Sequence, residues 1–291
     1  MSRYINPFTD FGFKKLFGNE KNNDIIIGFL NQILPTQDII QKITYHRTEH
    51  LGASEIDRKV IYDLYCENQN GEKFIVELQK AKQVFFKDRS LYYATFPIQE
   101  QAQRGDWDYQ LKAVYTVAIL DFCFDEHNPN VRVEVKLMDT TRKVIFYDKL
   151  AFVYLQMPNF RKQEDQLETL QDKWLFLLKN LASLDQRPQK LKEKIFDKFF
   201  EEAEIAKFSK EDRVAYENSL KYYRDIKNSL DTAFEEGIGI GEQIGLEKGK
   251  IEGKIEIARN MIADKETNDK IAKYTGLTEG QINAIREEMK P

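Results

Sequence analysis

The chain has 291 residues, of which 42% are hydrophobic and 12% aromatic, which is enough for a real core and excludes a largely disordered protein. Its formal net charge of −4 excludes a general electrostatic affinity for nucleic acid, so any such contact needs a local basic patch and a metal ion. Two cysteines cannot form a disulfide framework, and the sequence shows no signal peptide and no long uncharged run, so we expect a soluble, cytoplasmic protein without membrane contact.

Two short helices are predicted between about Thr9 and Leu34, where hydrophobic residues recur at helical spacing. Thr9 is a suitable cap for the first helix. Asn23 or Asp24 can begin the second helix, and Pro35 ends it.

A β-hairpin is predicted next, from two stretches rich in β-branched and aromatic residues, 58–67 and 72–80, on either side of a turn sequence. A two-residue loop would pair position 63 with 78. A three-residue loop with Gly71 in the left-handed conformation would pair 68 with 72, and Asp63 with Glu77. Because glycine is preferred at the third loop position, and because this register agrees with the chemistry described below, we predict the second register.

The later elements complete an α/β fold. We expect a helix over about 83–103, a central buried strand over 111–120, and further strands over 131–138 and 144–155. Helices follow from residue 164 onward, and the last two before the tail span 191–208 and 212–234. A mixed sheet of four to six strands flanked by helices, with a helical C-terminal region, accommodates them. We divide the chain into a core of residues 1–185, a helical extension of 186–236 and a tail of 237–291.

The tail begins with glycines at every fourth position, which are Gly237, Gly241, Gly245, Gly249 and Gly253. They indicate either a helix whose glycine face packs closely on a partner helix, or a partly helical, low-complexity linker. The end of the tail predicts a helix, a glycine turn and a second helix, with a capping box of Thr278 and Gln281. Glu287 and Glu288 in the second helix favour a packing or dimerisation unit over a reader of DNA.

The hairpin carries the residues suited to chemistry. Strand side chains alternate, so Glu77 and Gln79 share a face, and the predicted register adds Asp63 to it. Two opposed carboxylates destabilise a sheet unless a hard divalent cation with oxygen ligands compensates their charge. The alternative is that both acids lie on a solvated face and pair with basic neighbours, which would be Arg58, Lys59 or Lys80.

The stretch Tyr62–Leu64, followed by the hairpin and Ile75–Lys80, resembles the D…(D/E)XK signature, with Gln79 in place of the usual lysine. The sequence is most similar to the bacterial PD-(D/E)XK nuclease family transposases, which are also called recombination-promoting nucleases. The likeness covers nearly the whole chain and is most specific over about residues 6–180. Further matching segments are Thr9–Gly18, Arg89–Tyr93, Gln99, Gln103, Tyr115–Leu120, Gln156–Phe160, Lys173–Trp174 and the glycine repeat.

This resemblance implies a restriction-endonuclease-like fold and a set of metal ligands. Asp63 and Glu77 would hold the ion, with the backbone carbonyl of Leu78 and the carboxylate of Asp10 as further ligands. The alternative for Asp10 is an acid at a helix N-terminus, favoured there by the helix dipole.

Gln79 would take the place of the lysine that positions water in related nucleases, but glutamine cannot supply a positive charge. Lys82 or Arg89 would supply that charge instead. The resemblance also indicates residues for phosphate or base contact, which are Arg89, Tyr92, Gln99, Gln103 and Lys82. Tyr92 could equally be a core residue.

The leading hypothesis is a Mg²⁺-dependent DNA endonuclease, with Mn²⁺ as a possible substitute, associated with recombination or transposition. Its catalytic residues would be Asp63, Glu77 and Gln79. The alternative is a catalytically degenerate DNA-binding or assembly module on a nuclease fold, which the missing lysine favours. A third hypothesis is a structural interaction protein that acts through the glycine-striped helix. In each case we expect a homo-oligomer formed by the C-terminal helices.

Overall fold

The computed structural model describes residues 2–36, 38–50, 60–102, 105–125 and 127–289. The helices are α1 (Asp10–Phe17), α2 (Asn23–Ile33), α3 (Phe86–Gln99), α4 (Leu170–Asn180), α5 (Lys194–Ala203), α6 (Lys210–Ala263), α7 (Asn268–Thr275) and α8 (Glu279–Glu288). The strands are β1 (Ile43–Tyr45), β2 (Glu49–His50), β3 (Val60–Ile61), β4 (Leu64–Asn68), β5 (Lys73–Gln79), β6 (Val114–Leu120), β7 (Arg132–Asp139) and β8 (Val144–Gln156).

A six-stranded mixed sheet organises the first part of the chain, in the order β1–β4–β5–β6–β8–β7. Strands β5, β6 and β8 run parallel, and the remaining neighbours are antiparallel. Every residue of β6 is buried, as expected for a central strand that is covered on both faces. The predicted α/β fold class, a mixed sheet flanked by helices with a helical C-terminal region, is therefore confirmed.

The two faces of the sheet are covered differently. One face carries Phe74 and Val76 and packs in a large core with residues of α1, α2, α4 and α5, including the fully buried Trp174. The opposite face of β5 carries Ile75, Glu77 and Gln79. On that face α3 packs, with Phe86 and Ala94 against β6 and β8 and with Tyr93 and Phe96 beside Ile75. The predicted site residues of β5 therefore lie on the α3 side.

The first hairpin strand differs from its prediction. A continuous strand was expected over 58–67, but β3 ends at Ile61 and the chain bends at Asp63 before β4 begins. The amide of Tyr62 donates to the carbonyl of Thr48 at 2.8 Å, and the amide of Asp63 donates to a side chain of β5, so neither joins the β4–β5 ladder. The bend frees the Asp63 side chain from strict strand alternation.

Two further elements, α3 and β6, are shorter than predicted. Helix α3 ends at Gln99, and the predicted end at Gln103 lies outside the described residues. Strand β6 begins at Val114 rather than at 111, because the amide of Lys112 donates to the Gln101 side chain at 2.7 Å instead of joining the sheet.

Cys66 is buried in β4, whereas Cys123 follows β6 and is only half-buried.

Helix α6 replaces two predicted elements, because the expected helix over 212–234 continues through the glycine repeat to Ala263. The repeat is therefore helical throughout rather than partly helical, and its packing on a partner helix stays a prediction. Every residue from 227 to 252 is exposed, and a Cβ placed on Gly241 or Gly249 would meet no described atom within 4 Å. Among the helices of the described residues, none combines the length and the apolar run required to cross a membrane.

The chain divides into two compact units, residues 1–227 and 228–291, and the three-part division given above stays a prediction. Within the second unit, α7 and α8 meet at Gly276, which has a φ of +69°, and Thr278 and Gln281 form the predicted capping box. The buried side chains of α7 and α8 pack with Ala258 of α6. This packing agrees with the interpretation of the tail as a packing unit.

Replacing Gly71 with alanine is expected to lower the free energy of unfolding by about 1 kcal/mol, since a side chain is disfavoured in the left-handed conformation. Gly71 has a φ of +79°, and no described atom would lie closer than 3.6 Å to an added Cβ, so the strain would be conformational rather than steric. Urea unfolding measures the loss. Gly71→Asn is the control, and it should lose less because asparagine tolerates this conformation. Equal losses in the two variants would contradict the explanation.

Candidate active site

The hairpin adopts the register with a three-residue loop. Leu64 pairs with Val76, and the amide of Asn68 donates to the carbonyl of Glu72 at 3.0 Å. Gly71 holds the left-handed conformation that this loop requires. Extended one residue beyond the start of β4, this register sets position 63 opposite 77. The predicted register is therefore confirmed, and the alternative with a two-residue loop is wrong.

Asp63 and Glu77 hold each other in place through backbone groups. The amide nitrogen of Asp63 donates to Glu77 Oε1 at 3.3 Å, and the amide nitrogen of Leu78 donates to Asp63 Oδ2 at 2.7 Å. Asp63 is half-buried, and the Glu77 side chain is buried, with 9% exposure. A solvated face is therefore wrong for Glu77. Two of the proposed partners in that alternative, Arg58 and Lys59, lie outside the described residues.

The two carboxylates lie where negative charge is unfavourable. Burial raises the pKa of Glu77, the charge of Asp63 raises that pKa further, and the Arg89 guanidinium partly offsets the effect. Burial also raises the pKa of Asp63, although the hydrogen bond from the Leu78 amide opposes the shift. The largest cause of both shifts is burial, which disfavours the charged carboxylate, and a bound cation would favour that charged form.

The donors at this pair match a hard divalent ion. Mg²⁺ is commonly held by one or two carboxylates together with water and substrate phosphate, and the chain supplies two carboxylates here, Asp63 from the bend before β4 and Glu77 from β5. Within the described part of the chain, no group of three or more histidine, cysteine, aspartate or glutamate side chains could hold a metal ion. The residues fit an ion that keeps open positions, as a catalytic site requires.

Asp10 lies at the start of α1, and its side chain is exposed and paired with Lys14 at 3.1 Å. Its charge still contributes to raising the pKa of Asp63. The structure therefore shows Asp10 in the first turn of a helix, as its alternative interpretation expects, with an electrostatic effect on the site. Its role as a metal ligand, like that of the Leu78 carbonyl, stays a prediction.

Gln79 and Arg89 form a connected pair beside the carboxylates. Gln79 is buried on the same face as Glu77, its Oε1 accepts from Arg89 Nη2 at 2.5 Å, and its Nε2 donates to the carbonyl of Ala81 at 2.7 Å. The guanidinium of Arg89 lies 5.0 Å from the ring centre of Phe86 and 5.6 Å from that of Tyr93. Arg89 thus brings a positive charge to the position where the signature lysine is missing.

The remaining predicted contact residues lie further out. Lys82 is exposed and donates to the carbonyl of Phe124 at 3.2 Å. Tyr92 is 44% exposed, with its ring against Tyr93 and Phe96 on the outer side of α3, so it is a surface residue rather than a core residue. Gln99, exposed at the end of α3, completes the described members of the set, because Gln103 lies outside the described residues.

A family model described as PD-(D/E)XK nuclease family transposase matches residues 7–233. The chain belongs to this family. The matched segment contains the whole six-stranded sheet, helices α1 to α5 and the first part of α6. No curated protein and no solved structure matches the chain. Membership of the PD-(D/E)XK nuclease family transposases supports a nuclease- or transposase-associated function, and nucleases of this kind generally use divalent metals.

Two residues near the PD-(D/E)XK signature have positions that were not predicted from the sequence. Lys80 was named as a partner of the two acids on a solvated face, and its ammonium lies over the Tyr222 ring, at 5.6 Å. However, the bend at Asp63 brings the Asp63 carboxylate and the Lys80 ammonium close enough to interact. Burial lowers the pKa of Lys80, whereas the charges of Asp10 and Asp63 raise it. No sequence signal marks this bend.

Asp121 is the second residue that was not predicted. It directly follows β6, its amide donates to the carbonyl of Gln79 at 3.0 Å, and its Oδ2 accepts from the Tyr223 hydroxyl at 2.9 Å. Burial raises the pKa of this carboxyl group. The signal in the sequence was the position itself, because the first polar residue after a buried parallel strand lies at the carboxyl edge of the sheet. Gln79, the last residue of β5, lies at the same edge of the sheet.

Proposed function

We propose that this chain is a metal-dependent DNA endonuclease that hydrolyses phosphodiester bonds in recombination or transposition, in the cytoplasm. The observation that carries the proposal is the pairing of Asp63 with Glu77, two carboxylates of raised pKa that lie beside each other because the Asp63 amide donates to Glu77 Oε1. Mg²⁺ is the proposed ion and Mn²⁺ the proposed substitute. Family membership supports the nuclease class, and the carboxylate geometry supports the metal dependence.

Asp63 and Glu77 are the residues that would hold the ion, and the backbone keeps both in place. The Leu78 amide fixes one oxygen of Asp63, and the Asp63 amide fixes one oxygen of Glu77, so each carboxylate keeps a second oxygen for ligation. When bound, a divalent ion at such a site lowers the pKa of a water molecule and stabilises the charge that develops on the phosphodiester.

Gln79 and Arg89 together take the two roles of the missing lysine, which are to orient water and to supply a positive charge. After its contacts to Arg89 and Ala81, the Gln79 amide retains one N–H and one lone pair, which suffice to orient a water molecule. Arg89 uses only part of its five-donor fork on Gln79 and Gln83, and its remaining N–H groups can bind a phosphate oxygen. The flanking rings of Phe86 and Tyr93 restrict the guanidinium to this position.

The test is cleavage of supercoiled plasmid by the full chain with Mg²⁺, with Mn²⁺ and with EDTA. The proposal expects nicking or linearisation that requires metal. Absence of cleavage with either ion would favour the second candidate function, a catalytically degenerate DNA-binding or assembly module. That candidate rests on one observation, which is that the signature lysine is replaced by the uncharged Gln79.

We also propose that α6 joins copies of this chain. Its exposed stretch carries Ile240, Ile244 and Ile251, which are each about half exposed or more, and an isolated helix with several glycines gains little stability without a partner. Residues 231–247 contain acidic but no basic side chains, whereas basic residues outnumber acidic ones over 248–259. Antiparallel pairing would therefore be favoured. Light scattering should show oligomers that dissociate in Ile244→Glu, whereas a monomeric wild-type chain would contradict this assembly.

A further inference from the structure

The connection between β5 and α3 ends in two exposed apolar side chains. Val84 is 90% exposed and Phe85 is 73% exposed, whereas the next residue, Phe86, is 2% exposed and packs in the core. The core therefore uses Phe86 for its packing. Val84 and Phe85 form an apolar tip on the surface, where an adjacent pair of large apolar side chains suggests contact with another molecule.

The tip lies close to the candidate active site along the chain and in space. Gln79 is the last residue of β5, and Phe85 follows it by six residues. The amide of Arg89 donates to the carbonyl of Phe85 at 3.0 Å, and the Arg89 guanidinium returns to Gln79. Phe85 therefore lies one helical turn from Arg89, whose guanidinium contacts Gln79, the residue at the lysine position of the signature.

The surroundings of the tip indicate which kind of molecule it contacts. Residues 80–89 contain four basic side chains and one acidic side chain, in a chain whose net charge is −4. Lys82, whose ammonium donates to the Phe124 carbonyl at 3.2 Å, and Lys87, whose ammonium lies 5.0 Å from the Phe124 ring centre, are both exposed and flank the tip in the sequence. An exposed aromatic side chain beside cations matches a polyanion whose units carry flat apolar faces, namely a nucleic acid strand with accessible bases.

We propose that Phe85, supported by Val84, stacks on an unpaired base beside the scissile phosphate, so that the site prefers strands whose bases are unpaired or readily unstacked. This inference rests on the proposed function and specifies its substrate class. In a regular duplex the neighbouring base pairs cover the faces of each base, so Phe85 would have to separate them before making this contact. Lys82 and Lys87 hold backbone phosphates next to the stacked base.

Binding without cleavage tests the inference. Fluorescence anisotropy with Ca²⁺ in place of Mg²⁺ compares a single-stranded DNA oligonucleotide with an abasic strand of the same length, for the wild-type chain, Phe85→Ala and Phe146→Ala. Phe146 is 79% exposed on β8 and provides a matched control. Phe85→Ala should weaken binding to the base-containing strand by about fivefold or more, the usual effect of losing one stacking contact. It should leave binding to the abasic strand unchanged, and Phe146→Ala should change neither.

A 2-aminopurine in the strand provides a second readout, because stacking quenches its fluorescence. Wild-type protein should quench it, and Phe85→Ala should not. Equal weakening of both strands by Phe85→Ala, no weakening at all, or no binding by the wild-type chain would each overturn the inference, including in favour of a protein partner at the tip. None of these outcomes depends on hydrolysis. The proposed function is judged separately by plasmid cleavage, so failure of one can be distinguished from failure of the other.

Discussion

Glu77→Gln is expected to reduce metal-dependent phosphodiester cleavage by at least about 10³-fold, because several kcal/mol of charge stabilisation by the ion would be lost. The amide keeps the shape of the side chain and its hydrogen bond from the Asp63 amide, so the change isolates the charge. Asp63→Asn should act in the same way. Initial rates of plasmid nicking, measured at saturating Mg²⁺, give the size of the loss.

The same substitution is expected to leave the thermal stability of the metal-free protein unchanged or to raise it. Glu77 is a buried acid beside Asp63, and the neutral amide removes their mutual repulsion. Thermal unfolding in EDTA measures this effect. A variant that loses cleavage and also unfolds at a much lower temperature would show that Glu77 acts through the fold, which contradicts the assignment.

Glu67→Gln provides the matched control on the neighbouring strand. Glu67 is a half-buried acid of β4 that pairs with Lys73 and His46, and its pKa is lowered by those partners although burial opposes them. Removing its charge should leave cleavage unchanged and reduce stability by no more than about 1 kcal/mol. Glu77→Gln is therefore expected to lose cleavage but not stability, whereas Glu67→Gln should keep cleavage and lose a little stability.

Arg89→Ala is expected to lower kcat by about 10²- to 10³-fold, the usual effect of removing one donor that stabilises charge in a transition state. Arg89 is the cation that contacts Gln79, whereas Lys87 on the same helix lies against Phe124. Lys87→Ala should therefore change KM more than kcat. Steady-state rates on an oligonucleotide substrate separate the two constants. Equal effects of the two variants on KM, with kcat preserved, would contradict a role for Arg89 in catalysis.

A rescue experiment makes the test of Arg89 sharper. Gln79→Lys introduces the usual residue of the PD-(D/E)XK signature at the position that Arg89 contacts. In the Arg89→Ala background it should restore part of the lost activity, because it returns a positive charge to the same place. An inactive double variant that retains the wild-type fold would indicate that Arg89 does more than supply charge.

The sequence was sufficient to predict the hairpin and its register. Gly71 favours a three-residue loop with one left-handed residue, and a shift of one residue would have moved Asp63 away from Glu77. The local turn chemistry and the register therefore predicted that Asp63 and Glu77 lie opposite each other. The mixed α/β class followed from the nearly continuous apolar run of β6 between amphipathic segments.

The features that were not predicted depend on tertiary contacts. The bend at Asp63 depends on hydrogen bonds to Thr48 and Glu77, which are distant in the sequence. The electrostatic effect of Lys80 follows from that bend. Helix α6 was divided in two because glycines lower helix propensity, and propensity alone cannot show that the helix continues to Ala263.

Calorimetric titration of Mn²⁺ into the metal-free chain tests the central claim most directly, because it asks whether Asp63 and Glu77 hold a divalent ion. The account predicts saturable binding by the wild-type chain and by Glu67→Gln, weakened about tenfold or more in both Asp63→Asn and Glu77→Gln. The same affinity in all four proteins, or no binding by the wild-type chain, would contradict it.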